Sequence, residues 1–286
     1  MILKAVIPAA GLGTRLLPAT KSQPKEMLPI VDRPAIHYVV EEASKSGIES
    51  ILIVTGRGKE AIENYFDHSF ELERILKEKN KNELLEIVRD ISEMAKVFYV
   101  RQKEPLGLGH AIYQAKGFIK DEPFGVLLAD DIFIYETPPL RKLIDVYEKF
   151  KGIVIGVKRV PRENVSMYGI VKVDVISKGV YEVMDLVEKP DPSLAPSNIA
   201  IIGRYILVPS IFNSIEKTKP GKNNEIQLTD AIKNLLGKEK IFAVEIEEER
   251  FDVGDKLGFL VANAAFGLKD KTFGKALKEK IKEVIK

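Results

Sequence analysis

The chain has no cysteine, and no tryptophan either. The missing thiols exclude a disulfide scaffold, a cysteine zinc site, an iron–sulfur cluster and a thiol nucleophile. Histidine is scarce, at three residues, so imidazole chemistry has few places to reside. No apolar run approaches the roughly 20 residues that span a bilayer, and the N-terminus lacks the layout of a signal peptide. Excess charge of one sign is missing too, because 44 Lys and Arg against 42 Asp and Glu leave a net charge of +2. Nucleic acid usually requires a strongly basic face. We therefore expect no nucleic-acid partner, no membrane, and a cytoplasmic location. Gly (20) and Pro (15) are too few for a collagenous or disordered chain.

What is present is ordinary globular material: 286 residues, 45% hydrophobic and 30% charged. Apolar, β-branched runs at Leu3–Ala9, Ser50–Thr55, Val97–Arg101 and Pro123–Ala129 read as strands. Between and after them, Pro34–Gly47, Lys59–Phe66, His110–Phe118 and Leu140–Phe150 read as helices. This alternation predicts an α/β fold with a largely parallel sheet. The second half changes character. Ile153–Val160, Tyr168–Val175, Val180–Val187 and Ile199–Val208 are strand candidates with few helices between them, which predicts an antiparallel or mixed extension. Helices return at Ser210–Glu216 and Gln227–Leu236, a strand at Ile241–Ile246, and helices at Lys256–Leu268 and Lys275–Val284. No linker or repeat interrupts the chain, so residues 1–286 are expected to form a single domain whose halves meet near residue 150. Asp67–Lys96 is charged, with apolar residues from Phe70 to Ile91 at helical spacing. It reads either as a helical hairpin covering a sheet edge or as a subunit interface.

The strongest chemical signal is the segment AAGLGTRLLPATKSQPKEML, Ala9–Leu28. A glycine-rich turn after a buried strand lets backbone N–H groups approach a phosphate. It is not a P-loop, since no Gly-Lys-Ser/Thr occurs. It is not a dinucleotide fingerprint either: Gly11 and Gly13 match, but Leu16 replaces the third glycine and Pro18 breaks the helix that should follow. What remains is a loop with two cations, Arg15 and Lys25, stiffened by Pro18, Pro24 and Pro29. Two fixed cations beside a nest of amides suit a triphosphate.

GLGTRLLPAT followed by PKEMLP resembles the signature of the sugar-nucleotide pyrophosphorylases. The match continues through FDHSFELE, VRQKEPLGLGHAI, VEKP, SNIAIIGRY, NEIQLTDAI and FDVGDKLG, along nearly the whole chain. The variant KEMLP is similar to the uridylyltransferase branch, whereas thymidylyltransferases usually carry KQLLP. The resemblance implies a Rossmann-like, three-layer α/β nucleotide-diphospho-sugar transferase fold. Its central sheet would be mixed but mostly parallel, with helices on both faces. The first half would bind nucleotide and the second half sugar. The implied reaction joins UTP and glucose 1-phosphate into UDP-glucose and pyrophosphate. A sugar phosphate with a second pKa of about 6 is already ionised near neutral pH. Positioning and charge screening then suffice, without a general base or covalent intermediate.

The resemblance also implies roles for particular residues. Arg15, Lys25 and Lys189 would be catalytic. Ala10, Gly11, Gly13, Lys25, Glu26, Gln102, Gly107 and Asp130 would bind nucleotide. Gln102 would read the uracil edge with its donor and acceptor, and Gly107 and Gly109 would let base and ribose lie against backbone. Gly169, Glu188, Lys189, Asn198 and Gly203 would form the sugar site, beside Tyr168. Asp130 and Asp252 would hold Mg²⁺, the expected cofactor, which favours one or two carboxylates plus phosphate oxygens. Asp131 is left ambiguous. His110 reads as a structural hydrogen bonder, and the polar groups of residues 225–227 as caps for the following helix. A homodimer or homotetramer is expected. Two alternatives stay open: a thymidylyltransferase or broader sugar-1-phosphate nucleotidylyltransferase, and a regulatory subunit that has lost catalysis. The second should have lost a metal carboxylate or a phosphate cation, yet all five of Arg15, Lys25, Asp130, Lys189 and Asp252 are present.

Overall fold

The computed structural model describes residues 2–221 and 224–285. The strands are β1 (Lys4–Pro8), β2 (Pro29–Ile30), β3 (Arg33–Pro34), β4 (Ser50–Thr55), β5 (Lys96–Arg101), β6 (Phe124–Leu127), β7 (Asp131–Ile134), β8 (Ile153–Arg159), β9 (Gly169–Ser177), β10 (Val180–Glu188), β11 (Ile199–Leu207), β12 (Ile241–Glu245) and β13 (Glu249–Asp252). The helices are α1 (Ala35–Lys45), α2 (Glu60–Phe66), α3 (Phe70–Glu78), α4 (Asn82–Glu93), α5 (Leu108–Tyr113), α6 (Lys116–Ile119), α7 (Pro139–Phe150), α8 (Ser210–Lys217), α9 (Leu228–Lys233), α10 (Lys256–Lys269) and α11 (Gly274–Val284). No helix among the described residues is long and apolar enough to cross a membrane.

Nine strands form one sheet in the order β5-β4-β1-β6-β11-β8-β12-β10-β9. The first four run parallel, as strands joined by helical crossovers must. The second half is mixed: β8 and β12 are parallel, while the joins through β11, β10 and β9 are antiparallel. Strand β11 inserts between β6 and β8 and so carries the sheet from one half into the other. Both faces are covered, giving three layers. Ala5 and Ile7 of β1, with Ile51 and Ile53 of β4, face the core under α1 and α7. Val6, Leu52 and Val54 alternate to the opposite core, under α5, α8 and α9. A period of two thus distributes a continuous apolar run between two layers.

The departures from the sequence reading are local. The helix expected over His110–Phe118 is two short helices, α5 and α6. The loop stiffened by Pro18, Pro24 and Pro29 coils into 3₁₀ turns at Thr14–Leu16, Ala19–Lys21 and Lys25–Met27. The small pairs β7–β13 and β2–β3 are new. Asp67–Lys96 does form a hairpin, α3–α4. Leu76 and Leu85 are buried, but Phe70, Leu72, Ile75, Leu84 and Ile87 remain exposed.

The deepest polar feature is an ion pair. Arg204 on β11 is wholly buried and donates from Nε and Nη2 to the two carboxylate oxygens of Glu42 on α1, at 2.9 and 2.8 Å. Its remaining N–H groups go to the carbonyls of Asp131, Gly203 and Leu128, at 2.7, 2.8 and 3.3 Å. Breaking such a pair leaves an uncompensated buried charge. Arg204→Met should therefore cost about 3–5 kcal/mol in unfolding free energy, measured by urea titration. A loss under about 1 kcal/mol would contradict the reading of the pair as a fixed internal clamp.

Candidate active site

The carboxyl ends of β1, β4, β5 and β6 open onto one cleft, where ligand sites of open α/β sheets lie. One part of it encloses about 360 Å³ between the 10–12 and 20–24 stretches of the glycine loop, the turn 56–59, and Gln102 with Lys103 and Pro105. Ala10 lies two residues beyond β1 and packs against Gly56, whose missing side chain leaves room for the Ala10 carbonyl. Gly11 is exposed on the cleft wall, with only the Lys25 stem near it. Gly13 holds a left-handed φ of 67° and is pressed against Thr20 and Lys25. A side chain there would be strained and would displace the lysine.

Lys25 reaches across to the end of β6, where its ammonium meets Asp130 Oδ2 at 2.6 Å. Arg15 Nη2, Asp130 Oδ2 and Asp252 Oδ1 all lie within 3.0 Å of the point where a Gly254 side chain would begin. Asp252 reaches this place because β13 pairs with β7, which sets it opposite Asp131, and Gly254 N–H donates to it at 2.9 Å. Four charged groups from distant parts of the chain therefore converge. Burial pushes Asp130 upward, but the Lys25 ammonium, its hydrogen bond and Arg15 carry the net shift below the usual carboxylate range. Asp252 is pushed up by burial and by the neighbouring Asp131 and Asp130 carboxylates. The group most unfavourably charged is thus one that a cation would relieve. Asp131 does not share that role. Its Oδ2 accepts Gly203 N–H at 2.8 Å and its Oδ1 pairs with Arg250 at 2.5 Å, which occupies both oxygens. Among the described residues no three His, Cys, Asp or Glu side chains converge as a closed metal cage. Two carboxylates open to further oxygen ligands fit Mg²⁺ with phosphates rather than a structural metal.

Several residues expected to contact nucleotide also make internal contacts. Glu26 is 1% exposed and accepts from Lys59 at 2.6 Å. It supports the loop beneath Lys25 instead of lining the cleft. Lys59, buried and unremarked in the sequence, is its counter-charge. Gln102 does line the cleft, but its amide donates to the Gly107 carbonyl at 3.2 Å and meets His110 Nδ1 at 2.9 Å. His110 is thereby the structural hydrogen bonder expected, contacting Gln114 as well. Gly107 and Gly109 are glycines for another reason than base stacking. A Cβ on either would fall within 2.8 Å of the segment Glu225–Ile226, which lies against them through backbone bonds to Leu106 and Gly109. Gln227 makes no side-chain cap for α9.

Among the residues expected to bind sugar, Glu188 ends β10 directly opposite Gly169 on β9. A side chain at Gly169 would strike Glu188 Oε2 and the Thr229 hydroxyl, so the glycine clears space for the carboxylate. Thr229, at the start of α9, donates to Glu188 at 2.6 Å, a partner with no signal in the local sequence. Lys189 has a left-handed φ of 44°, strained for a lysine, with its backbone N–H donated to Tyr168 and its ammonium 3.4 Å from Glu188. Strain of this kind persists where surrounding structure fixes a functional side chain. Two residues are misplaced by the sequence reading. Asn198 donates to the Val160 carbonyl at 3.2 Å, a contact between the end of β8 and the start of β11. Gly203 is buried inside β11, packed on Leu128 and Asp131. It makes room for Asp131, not for a hexose.

Residues 4–267 match the model of the nucleotidyl transferase family. The chain is similar to the UTP–glucose-1-phosphate uridylyltransferase YngB of Bacillus subtilis (strain 168), with 55% identity over 285 residues, covering 100% of this chain and 96% of that one. Among solved structures it resembles UDP-glucose pyrophosphorylase complexed with UDP-glucose, with a TM-score of 0.87, 46% identity, and coverage of 94% of this chain and 100% of that one. It also resembles the UTP-bound UGPase from Acinetobacter baumannii, with a TM-score of 0.92, 43% identity and 99% of both chains covered.

Proposed function

This chain belongs to the nucleotidyl transferase family, and we propose that it transfers the uridylyl group of UTP to glucose 1-phosphate, yielding UDP-glucose and pyrophosphate. The uridylyltransferase and UDP-glucose-bound relatives favour this substrate pair over a thymidylyl donor. The observation that carries the reading is the division of cations: Arg15 and Lys25 flank the glycine loop, and Lys189 stands at the far strand end beside Glu188.

In this reading a phosphate oxygen of glucose 1-phosphate forms a bond to the α-phosphorus of UTP. The bond from that phosphorus to the bridging oxygen breaks, and pyrophosphate leaves with the electron pair. The incoming phosphate is already ionised, so no side chain needs to take its proton. That agrees with a site in which the imidazole of His110 is committed to Gln102 and Gln114. Gly11 and Gly13 bring backbone amides to the triphosphate. Lys25 and Arg15 neutralise it, Lys189 holds the sugar phosphate, and Glu188, oriented by Thr229, accepts from sugar hydroxyls. Asp130 and Asp252 would hold Mg²⁺. Bound there, the ion would screen the charge between two polyanions and on the departing pyrophosphate. The chemistry requires no other prosthetic group.

The exposed apolar side chains of α3–α4 fit a second copy of this chain, and we take the assembled form to be a homo-oligomer built on that face.

Three outcomes are expected. Asp252→Asn keeps the side-chain shape, removes the charge, and should lower kcat by about 100-fold or more. Near-normal pyrophosphate release in Mg²⁺ would refute its assignment. Lys189→Ala should raise KM for glucose 1-phosphate by at least about tenfold with little effect on UTP, and Lys25→Ala the reverse. Equal changes for both substrates in both variants would refute the division of labour. Finally, light scattering should find an oligomer at micromolar concentration that Phe70→Glu with Leu84→Glu reduces to a smaller species. Leu76 is unsuitable for this test because it lies inside the hairpin. A monomeric parent would refute the assembly.

A further inference from the structure

Arg250 precedes Asp252 by two residues on β13 and has no part in the mechanism above. Its side chain is 12% exposed. Nη2 donates to Asp131 Oδ1 at 2.5 Å and stands 3.8 Å from Asp252 Oδ2. Nη1 reaches the Tyr168 hydroxyl at 3.5 Å, and the guanidinium carbon lies 5.4 Å from the centre of the Tyr168 ring, within cation–π range. Tyr168 precedes Gly169, and its carbonyl accepts the backbone N–H of Lys189 at 3.0 Å. One planar group thus touches the carboxylate side of the cleft at one end and the sugar side at the other.

The two sides otherwise rest on different elements. Asp130 and Lys25 are set by β6 and the glycine loop, and Lys189 and Glu188 by β9 and β10, which end the strand order and reach back toward β6 through a single bridge of β9 to β11, Ile170 opposite Ala200. An in-line displacement tolerates little error in the separation of its reactants, and a misplacement of about 1 Å can cost about 100-fold in rate. We propose that Arg250 is a positioning residue for the transfer: a strut that fixes the Tyr168–Lys189 corner relative to the carboxylates Asp130 and Asp252. It also occupies Asp131, which leaves Asp130 and Asp252 as the two carboxylates that converge with Arg15. The strut needs a rigid fork that reaches in two directions, which a lysine does not provide. This inference rests on the uridylyl-transfer reading.

The test compares the parent with Arg250→Met and Arg250→Lys, by steady-state pyrophosphate release and by calorimetric binding of UTP and of UDP-glucose. In Arg250→Met, kcat should fall about 10- to 100-fold. KM for glucose 1-phosphate should rise at least about fivefold, with KM for UTP within about twofold of the parent. UDP-glucose, which spans both sides, should bind at least about fivefold more weakly, while UTP binding stays within about twofold. Arg250→Lys should recover thermal stability, because it restores a charge beside Asp131, yet keep the kinetic defect. Parent-like kcat and KM in Arg250→Met, or full kinetic recovery in Arg250→Lys, would overturn the proposal. Should Arg250→Met not fold, Arg250→Lys and Asp131→Asn decide: the same split between the substrates supports the strut, and parent-like kinetics in both overturn it. An inactive parent overturns the transfer reading instead, and the contrast between UDP-glucose and UTP binding then judges Arg250 alone.

Discussion

All five N–H donors of Arg204 are used inside the core, two on Glu42 and three on the carbonyls of Leu128, Asp131 and Gly203. That arrangement ties helix α1 and strand β11 to the turn between β6 and β7. The turn matters because Asp130 lies in it, and because Asp131 begins the strand against which β13 and Asp252 are set. A wholly buried guanidinium is costly unless every donor is satisfied, so the clamp has one low-energy arrangement. The cleft inherits its rigidity. Glu42 also accepts the N–H of Leu140, which brings the start of α7 into the same network.

Above this clamp the charges are layered by purpose. Glu26 pairs with Lys59 and Asp131 with Arg250, and these pairs lie within the walls. Lys25, Arg15, Asp130 and Asp252 stand one layer further out, where phosphates and a divalent ion would complete their coordination. In the outer layer Lys25 and Asp130 pair with each other, while Asp252 carries the uncompensated charge. The upward push on Asp252 from its two neighbouring carboxylates is the electrostatic signature of that unfinished outer layer. The strained backbone of Lys189 marks the equivalent point on the sugar side.

Much of this was legible in the sequence, for identifiable reasons. Long apolar runs such as SILIVT and FGVLLA, with glycine or proline at their ends, located strands within a residue or two. The helical periodicity of Asp67–Lys96 revealed a hairpin. The converging charges Arg15, Lys25, Asp130 and Asp252 were named because their motifs are distinctive. The failures have a common cause. Gly107, Gly109 and Gly203 were assigned to ligands, yet each is a glycine because another part of the chain packs on it, Ile226 in two cases and Leu128 with Asp131 in the third. A single sequence shows that a backbone must be closely approached, not by what. Glu26, Arg204 and Arg250 are charged residues with partners 33, 162 and 119 positions away, and such pairings leave no local pattern. β7 and β13 were missed because four-residue strands bearing charges do not show a clean alternation.

The central claim is that this arrangement of cations, carboxylates and glycine turns joins UTP to glucose 1-phosphate. The most direct measurement is pyrophosphate release by the purified protein with Mg²⁺, crossing UTP, dTTP, CTP, ATP and GTP with several sugar 1-phosphates. The account predicts that UTP with glucose 1-phosphate has the highest kcat/KM of the matrix and yields UDP-glucose. Equal or better turnover with dTTP, preference for another sugar phosphate, or no pyrophosphate from any pair would contradict it.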